Sequence, residues 1–364
     1  MEEQKKYTPI SELGEFGLIQ RLTDKIELYH TSTIKGVGDD AAVFTPPGKD
    51  YVQLFSTDML AEGIHFELTY TPLRQLGYKA IAANVSDICA MNGVATQAAV
   101  SIAVSNQYSV ESLDEIYKGI HYACEKYKVD LVGGDTTSSR SGLIISVAIL
   151  GKVAQDKVVY RSGAKAGDYL CVSGDLGAAY AGLYLLEKAR KNFIKDPTLK
   201  PDFQGYSYVI QRQLMPKART DMIELFRLSD VKPNSMIDIS DGLSSEINHL
   251  CKESKVGCLL DEANIPIHEE TLKVATSLNT PADDTSEIHP WGGGGGAATS
   301  FALNGGEDYQ LLFTLAPSDY KKLKDTTGIT IIGEMLPAQE GIKLAGKDGK
   351  IYPLEAKGWD GMKA

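Results

Sequence analysis

Cysteine is scarce in this chain and shows no pairing pattern. The five cysteines, Cys89, Cys124, Cys171, Cys251 and Cys258, are odd in number and form no Cys-x-x-Cys. That argues against a disulfide framework and against the usual spacing of a zinc site. It fits reduced, mostly buried thiols and a cytoplasmic protein. No apolar run approaches the length that crosses a bilayer, so no membrane association is expected. The opening Met1-Glu2-Glu3-Gln4-Lys5-Lys6 has no apolar segment of signal-peptide type behind it. Clustered positive charge is missing too. Against 48 Asp and Glu stand 37 Lys and Arg, for a net charge of −11. Without a basic face no nucleic-acid partner is expected. Finally, no Gly-x-x-x-x-Gly-Lys-[Ser/Thr] loop is present, so a Walker-type phosphate cradle is excluded.

What is present is the material of a globular protein. The 364 residues are 43% hydrophobic and 23% charged, enough for two domains with real cores. An acidic protein that handles anions must neutralise them locally, and carboxylate-held metal ions are the usual means.

Periodicity predicts an α/β (α+β) chain of two domains, 1–152 and 153–364. In the first, a strand from Tyr51 ends at Asp58. A helix spans Arg74 to Met91, with Leu76, Ala80, Ala83 and Ile88 on its apolar side. Gln97–Val104 and Leu143–Leu150 are buried strands, Val110–Lys128 is an amphipathic helix, and Asp130–Val132 is a short strand running into Gly133-Gly134-Asp135. In the second, Tyr169–Ser173 is a strand. Helices are expected near 217–228 and 241–253, and strands near 257–260, 309–315 and 329–333. Residues 279–300, with five consecutive glycines from Gly292 to Gly296, read as a mobile surface loop.

Five short segments put an acid at a strand end or tight turn. They are Gly36-Val37-Gly38-Asp39-Asp40-Ala41, Ser56-Thr57-Asp58, Asn84-Val85-Ser86-Asp87, Gly133-Gly134-Asp135 and Asp238-Ile239-Ser240-Asp241-Gly242. A single Asp in such a place is more often a helix cap or turn residue. Five together favour a metal site, since carboxylates gathered at one point repel until cations relieve them. Magnesium takes oxygen ligands of this kind. Asp87 is the most telling, because it interrupts an apolar helical stretch where an unpaired carboxylate is costly. Gly174-Asp175-Leu176-Gly177 could cradle a phosphate at a helix N-terminus or serve as a plain strand–helix turn. The acids of Gly305-Gly306-Glu307-Asp308-Tyr309 could orient a substrate amine or cap a turn. Trp359 could plug the core or stack on an aromatic ring.

These motifs together resemble the thiamine-monophosphate kinase family, in the superfamily of aminoimidazole ribonucleotide synthetase and selenophosphate synthetase. The resemblance begins at Gly14-Glu15-Phe16, includes Gly63-Ile64-His65-Phe66 and the five acidic segments, and ends at Lys357-Gly358-Trp359. It implies a two-domain fold like aminoimidazole ribonucleotide synthetase, with a dimeric β-barrel core of N-terminal domains flanked by helices and a C-terminal α/β domain. It implies ATP-dependent phosphorylation of thiamine monophosphate to thiamine diphosphate by a homodimer, assisted by several Mg2+ ions. Implied metal ligands are Asp40, Ser56, Thr57, Asp58, Asp87, Asp135, Asp238 and Asp241; Asp58, Asp87, Asp135 and Asp241 are the implied catalytic residues. Implied nucleotide contacts are Tyr117, Gly134, Asp135, Arg161 and Ser240, and implied substrate contacts are His65, Glu307, Asp308 and Trp359. The glycine run departs from the family pattern. Two alternatives stay open: another ATP-dependent synthetase of the superfamily, and a non-catalytic nucleotide-binding regulator. No metal motif is degraded, as the latter would require.

Overall fold

The structure, a computed structural model, describes residues 21–35, 43–44, 50–278, 296–323 and 328–355. The chain divides into two units, Met1–Ile88 with Gly93–Asp156, and Cys89–Asn92 with Lys157–Ala364.

In the first unit, β1 (Thr33–Lys35) pairs with β2 (Val43–Phe44), and four longer strands form one sheet. These are β3 (Tyr51–Ala61), β4 (Val94–Val104), β5 (Asp130–Ser138) and β6 (Ile144–Ala154), in the spatial order β3-β6-β4-β5. Only β4 and β5 run parallel, and the link between them is helix α2 (Val110–Tyr127). Helix α1 (Leu73–Ala90) links β3 to β4. The expected order β-α-β-α-β-β is therefore present. Alternation gives the sheet two faces. Val100, Ile102, Ile145, Val147 and Ile149 are buried on one. On the other, Tyr51, Phe55 and Met59 of β3 are 49%, 68% and 55% exposed. The sheet is open, with β3 and β5 as its edges, and no closed barrel forms among the described residues.

Helices α1 and α2 touch backbone to backbone. A Cβ on Gly77 would lie 1.9 Å from the Ile116 carbonyl oxygen, and one on Gly119 would lie 1.8 Å from that of Arg74. Ser109 caps α2, its hydroxyl accepting from Ser112 N–H at 3.2 Å.

Two strand ends differ from expectation. β3 does not stop at Asp58, because its antiparallel pairing with β6 continues to Ala61 opposite Ile144. β5 does not stop at Val132, because pairing with β4 resumes after an irregularity and continues to Ser138. Asp58 and Asp135 thus sit inside strands.

Among the described residues the second unit carries seven strands: β7 (Tyr169–Ser173), β8 (Ser235–Asp238), β9 (Gly257–Asp261), β10 (Leu311–Leu315), β11 (Ile329–Leu336), β12 (Ile342–Ala345) and β13 (Ile351–Pro353). Their order is β13-β12-β9-β11-β7-β10-β8, antiparallel except for β9 with β12. Helix α3 (Ala178–Lys195) follows β7. Next come α4 (Ser207–Leu214), α5 (Thr220–Leu228), α6 (Leu243–Ser254), α7 (Glu269–Ser277), α8 (Ala297–Asn304) and α9 (Pro317–Leu323). One core joins the sheet to α6 through Leu170, Ile237, Ile247, Leu250 and Leu312. A second joins α3, α4, α7 and α8 through Ala181, Tyr184, Val209, Val274 and Phe301. The predicted loop over 279–300 needs correcting at its end, since α8 begins at Ala297, where Phe301 gives the helix an apolar anchor. Residues 279–295 lie outside the described residues. No helix among the described residues is long and apolar enough to cross a membrane.

Candidate active site

In the first unit, Ser56 and Asp58 leave β3 on the face that α1 covers. The Ser56 hydroxyl donates to Asp87 Oδ2 at 2.6 Å. Asn84, one turn earlier on α1, accepts from Asp58 N–H at 3.0 Å and donates to Ala80 O at 2.9 Å. Asn84 is buried and pins strand to helix. Nothing in its own sequence position marks that role. Asp87 is the half-buried break in a helix whose neighbours are buried, so its carboxylate surfaces beside β3. Thr57 leaves by the opposite face of the strand, so its hydroxyl does not join that pair.

Asp135 is not brought to Asp58. It pairs with Ser101, which pairs with Ser146, which pairs with Met59, one row along from Asp58. The two acids stand on opposite edge strands, about 14 Å apart at the usual strand spacing. A carboxylate pair this far apart cannot share one ion, so the expected single cluster is not formed by these two strands. Gly134 has a packing reason: a Cβ there would meet the Val100 carbonyl oxygen at 1.7 Å. Asp40 lies outside the described residues.

His65 sits in a tight turn after β3, where Ala61 N–H donates to its Nδ1 at 3.0 Å. That bond occupies Nδ1 and not Nε2. Glu62 braces the same turn, its Oε2 accepting from Tyr108 Oη and from Leu143 N–H, both at 2.7 Å. Tyr117 lines a cavity of 460 Å³ with Arg21, Lys25, Asp114, Lys118 and His121. Burial pushes its hydroxyl up to about 12, so it stays a neutral donor at any working pH. Arg21 grips Asp114 with Nε 3.0 Å from both carboxylate oxygens.

In the second unit, two motifs distant in sequence are stitched together. Glu307 N–H donates to Ser240 O at 2.7 Å, Tyr309 N–H to Ile239 O at 2.9 Å, and Ile239 N–H to Gln310 O at 2.7 Å. Close approach dictates the glycines here. A Cβ on Gly306 would stand 2.5 Å from Ser240 O, and one on Gly242 would stand 2.9 Å from Leu303 O. Glu307 holds φ at 68° and Tyr309 at 49°, left-handed conformations that cost non-glycine residues energy and concentrate at functional sites. Gln213 donates to Glu307 Oε2 at 2.7 Å, which fixes the direction of that half-buried carboxylate.

Asp238 closes β8 and is nearly buried, while Ser240 and Asp241 are half-exposed. Beneath them lies Glu246, 1% exposed on α6. Its Oε1 accepts from Ser240 N–H at 3.1 Å and Asp241 N–H at 2.8 Å. Burial, with the Asp241 charge adding to it, raises Glu246 to about 7 against the opposing pull of these N–H groups. Arg161 is exposed, and its carbonyl accepts from Ser254 Oγ at 3.2 Å.

Asp308 is fully buried, at 0% exposure. One oxygen accepts from Gly177 N–H at 2.6 Å, the other from Ala179 N–H at 3.2 Å, and Arg212 donates to it at 3.3 Å. An aspartate therefore fills the N-terminus of α3, the anion position that a phosphate would otherwise take. Of the two readings of Gly174–Gly177, the structure therefore matches the strand–helix turn. In this structure Asp308 faces that helix rather than solvent, which is the turn-capping alternative, not direct substrate contact. Trp359 lies outside the described residues.

Among the described residues, no three His, Cys, Asp or Glu side chains gather closely enough to hold an ion by themselves. The donors still suit magnesium. They are hydroxyl and carboxylate oxygens without nitrogen or sulfur, and magnesium commonly takes one or two carboxylates, several waters and substrate phosphates.

The chain is a mixed α/β protein with acid-bearing strands and glycine-tight turns. A family model described as AIR synthase related protein, N-terminal domain, matches residues 38–153. Thiamine-monophosphate kinase of Bacillus subtilis (strain 168) is 31% identical over 96% of this chain and 100% of its own length. That of Aquifex aeolicus (strain VF5) is 34% identical over 96% and 98%. Among solved structures, AaThiL complexed with AMPPCP and TMP aligns with TM-score 0.70 at 33% identity, covering 96% of this chain and 97% of that one. Thiamine-monophosphate kinase from Stenotrophomonas maltophilia K279a aligns at 0.73 and 26% identity, covering 93% and 98%. The chain belongs to the thiamine-monophosphate kinase family and is an enzyme of the kinase class.

Proposed function

We propose that this protein transfers the γ-phosphoryl group of ATP to thiamine monophosphate, giving ADP and thiamine diphosphate. Support comes from family membership over nearly all of this sequence and from one observation above all, the stitching of Asp238–Asp241 to Gly305–Gln310 by three backbone hydrogen bonds. It brings a candidate nucleotide and metal segment against a candidate substrate segment.

The acceptor is a phosphate monoester, already nucleophilic, so transfer needs in-line positioning and charge neutralisation more than a general base. Asp40, Ser56, Thr57, Asp58, Asp87, Asp135, Asp238 and Asp241 would hold the magnesium ions, with Thr57 offering its carbonyl rather than its hydroxyl. When bound, the ions supply neutralisation of the phosphate oxygens. Tyr117, Gly134, Asp135, Arg161 and Ser240 would bind the nucleotide, Tyr117 as a neutral phenol. His65 Nε2, Glu307 and Trp359 would hold thiamine phosphate, whose cationic ring suits an aromatic face and a carboxylate. Asp308 would act through the turn it anchors. The exposed row Tyr51, Phe55 and Met59 would meet its copy in a homodimer, two open sheets then completing the expected barrel. The cytoplasm suits the five buried free thiols.

The test is turnover of ATP with Mg2+ and thiamine monophosphate, with aminoimidazole precursors run alongside. Thiamine diphosphate formation is expected. Nucleotide binding with no ADP release on any acceptor would transfer the assignment to a binding protein.

A further inference from the structure

We infer that Glu246 is a positioning residue for phosphoryl transfer, setting the Ser240–Asp241 turn from below. The inference rests on the reading of Ser240 and Asp241 as nucleotide and magnesium contacts. Three observations carry it. Glu246 Oε1 accepts from two successive backbone N–H groups, those of Ser240 and Asp241, and lies 3.5 Å from Ser240 Oγ. Helix α6 has no side-chain cap at Gly242, and this carboxylate from its first turn reaches back past the helix start to the two N–H groups that precede it. Its second oxygen, Oε2, is buried without a hydrogen-bond partner, a cost that packing alone gives no reason to bear.

The consequence is local and directional. With two adjacent N–H groups turned down onto Glu246, the Ser240 carbonyl is free to take Glu307 N–H. The Ser240 hydroxyl and the Asp241 carboxylate are then presented from a turn fixed at both ends. Withdrawing the acceptor frees that turn while leaving Asp241 and Ser240 in the chain. Residues that orient ligand-bearing groups in this way typically cost 10–100-fold in affinity or activity when removed.

The experiment compares Glu246→Gln, Glu246→Ala and Glu246→Asp in the full-length protein. Gln keeps an oxygen at the Oε1 position; Ala removes it; Asp keeps the charge but is one methylene too short. Three quantities are read: amide hydrogen exchange at Ser240 and Asp241 without ligand, the dissociation constant of Mg2+ with a non-hydrolysable ATP analogue, and kcat and KM for ATP. Expected are wild-type protection with Gln, and exchange at those two amides at least about 10-fold faster with Ala and Asp. Nucleotide binding and kcat/KM should fall by about 10–100-fold in the same two variants. Should Ala not fold, Asp carries the same comparison. Unchanged exchange and nucleotide binding in Asp and Ala would overturn the inference, as would equal losses in Gln. Failure of the functional reading shows elsewhere, in wild-type protein that binds nucleotide but makes no thiamine diphosphate. Wild-type protein that binds no nucleotide sinks both.

Discussion

The backbone N–H of Glu307 donates to the carbonyl of Ser240 at 2.7 Å, so a residue of the Gly-Gly-Glu-Asp turn is held directly on the Asp-Ile-Ser-Asp turn. Gly306 permits the approach, since a Cβ there would lie 2.5 Å from that same carbonyl oxygen. Gly306→Ala should therefore force the two turns apart. Overpacking of this kind costs about 1–3 kcal/mol, so melting should fall by several degrees. Glu307 should lose its alignment, lowering kcat/KM for thiamine phosphate by at least about 10-fold. Differential scanning fluorimetry and steady-state kinetics check this; a variant unchanged in both would show that the turns have slack.

The Ser56–Asp87 pair separates charge from scaffolding. Asp87→Asn preserves the shape and still accepts from Ser56, so its melting temperature should stay close to that of the wild type. Turnover should drop at least about 100-fold, because one charged oxygen ligand is gone. Ser56→Ala should lose less, about 10-fold, and raised Mg2+ should restore part of it. Magnesium titrations of both variants give the comparison. Full activity in Asp87→Asn would remove that residue from the metal set.

Asp308 gives a dependence on pH. Its ordinary value is 3.8; burial lifts it to about 6, against the Arg212 charge and the Gly177 and Ala179 N–H groups that favour the ionised form. A carboxyl raised in the folded state binds its proton more tightly there than in the unfolded chain. Stability from this group is thus greatest below about 4 and declines as pH rises to about 6. Between pH 4.5 and 7 the wild type should lose melting temperature relative to Asp308→Asn, in which the group cannot ionise. A constant difference across that range would show the carboxylate to be ionised throughout.

Phe55, 68% exposed on β3, shares its strand face with exposed Tyr51 and Met59, with Gln53 and Thr57 between them. Several large exposed apolar side chains on one face suit an interaction surface. Phe55→Asp should shift sedimentation from dimer to monomer at micromolar concentration, with far-UV circular dichroism unchanged. A wild type that is already monomeric would put the dimer aside.

The sequence announced the first unit well, because α1 is a long apolar helix, α2 a long amphipathic one, and the strands around them are apolar runs. It misjudged where strands end. Asp58 and Asp135 looked terminal because polar residues interrupt the apolar run, whereas cross-strand pairing to β6 and β4 carries both strands onward. The short helices α4, α7, α8 and α9 are not legible in the sequence, since seven to nine residues give too few turns for a 3.6 period to stand out. Asp87 announced itself as an acid in an apolar helix. Asn84, Gln213 and Glu246 did not, because each acts on a partner that only the fold brings to it, a backbone N–H for Asn84 and Glu246 and the Glu307 carboxylate for Gln213. Asp308 was visible as a motif member, but only the neighbouring helix end shows what its carboxylate faces.

The crossing of α1 over α2 at Gly77 and Gly119 has a mechanical consequence. With no side chain between the two backbones, there is no soft layer to absorb displacement. Asp87 on one rod and Tyr117 on the other therefore share a single rigid mount, and a methyl wedge at either glycine would tilt both residues at once.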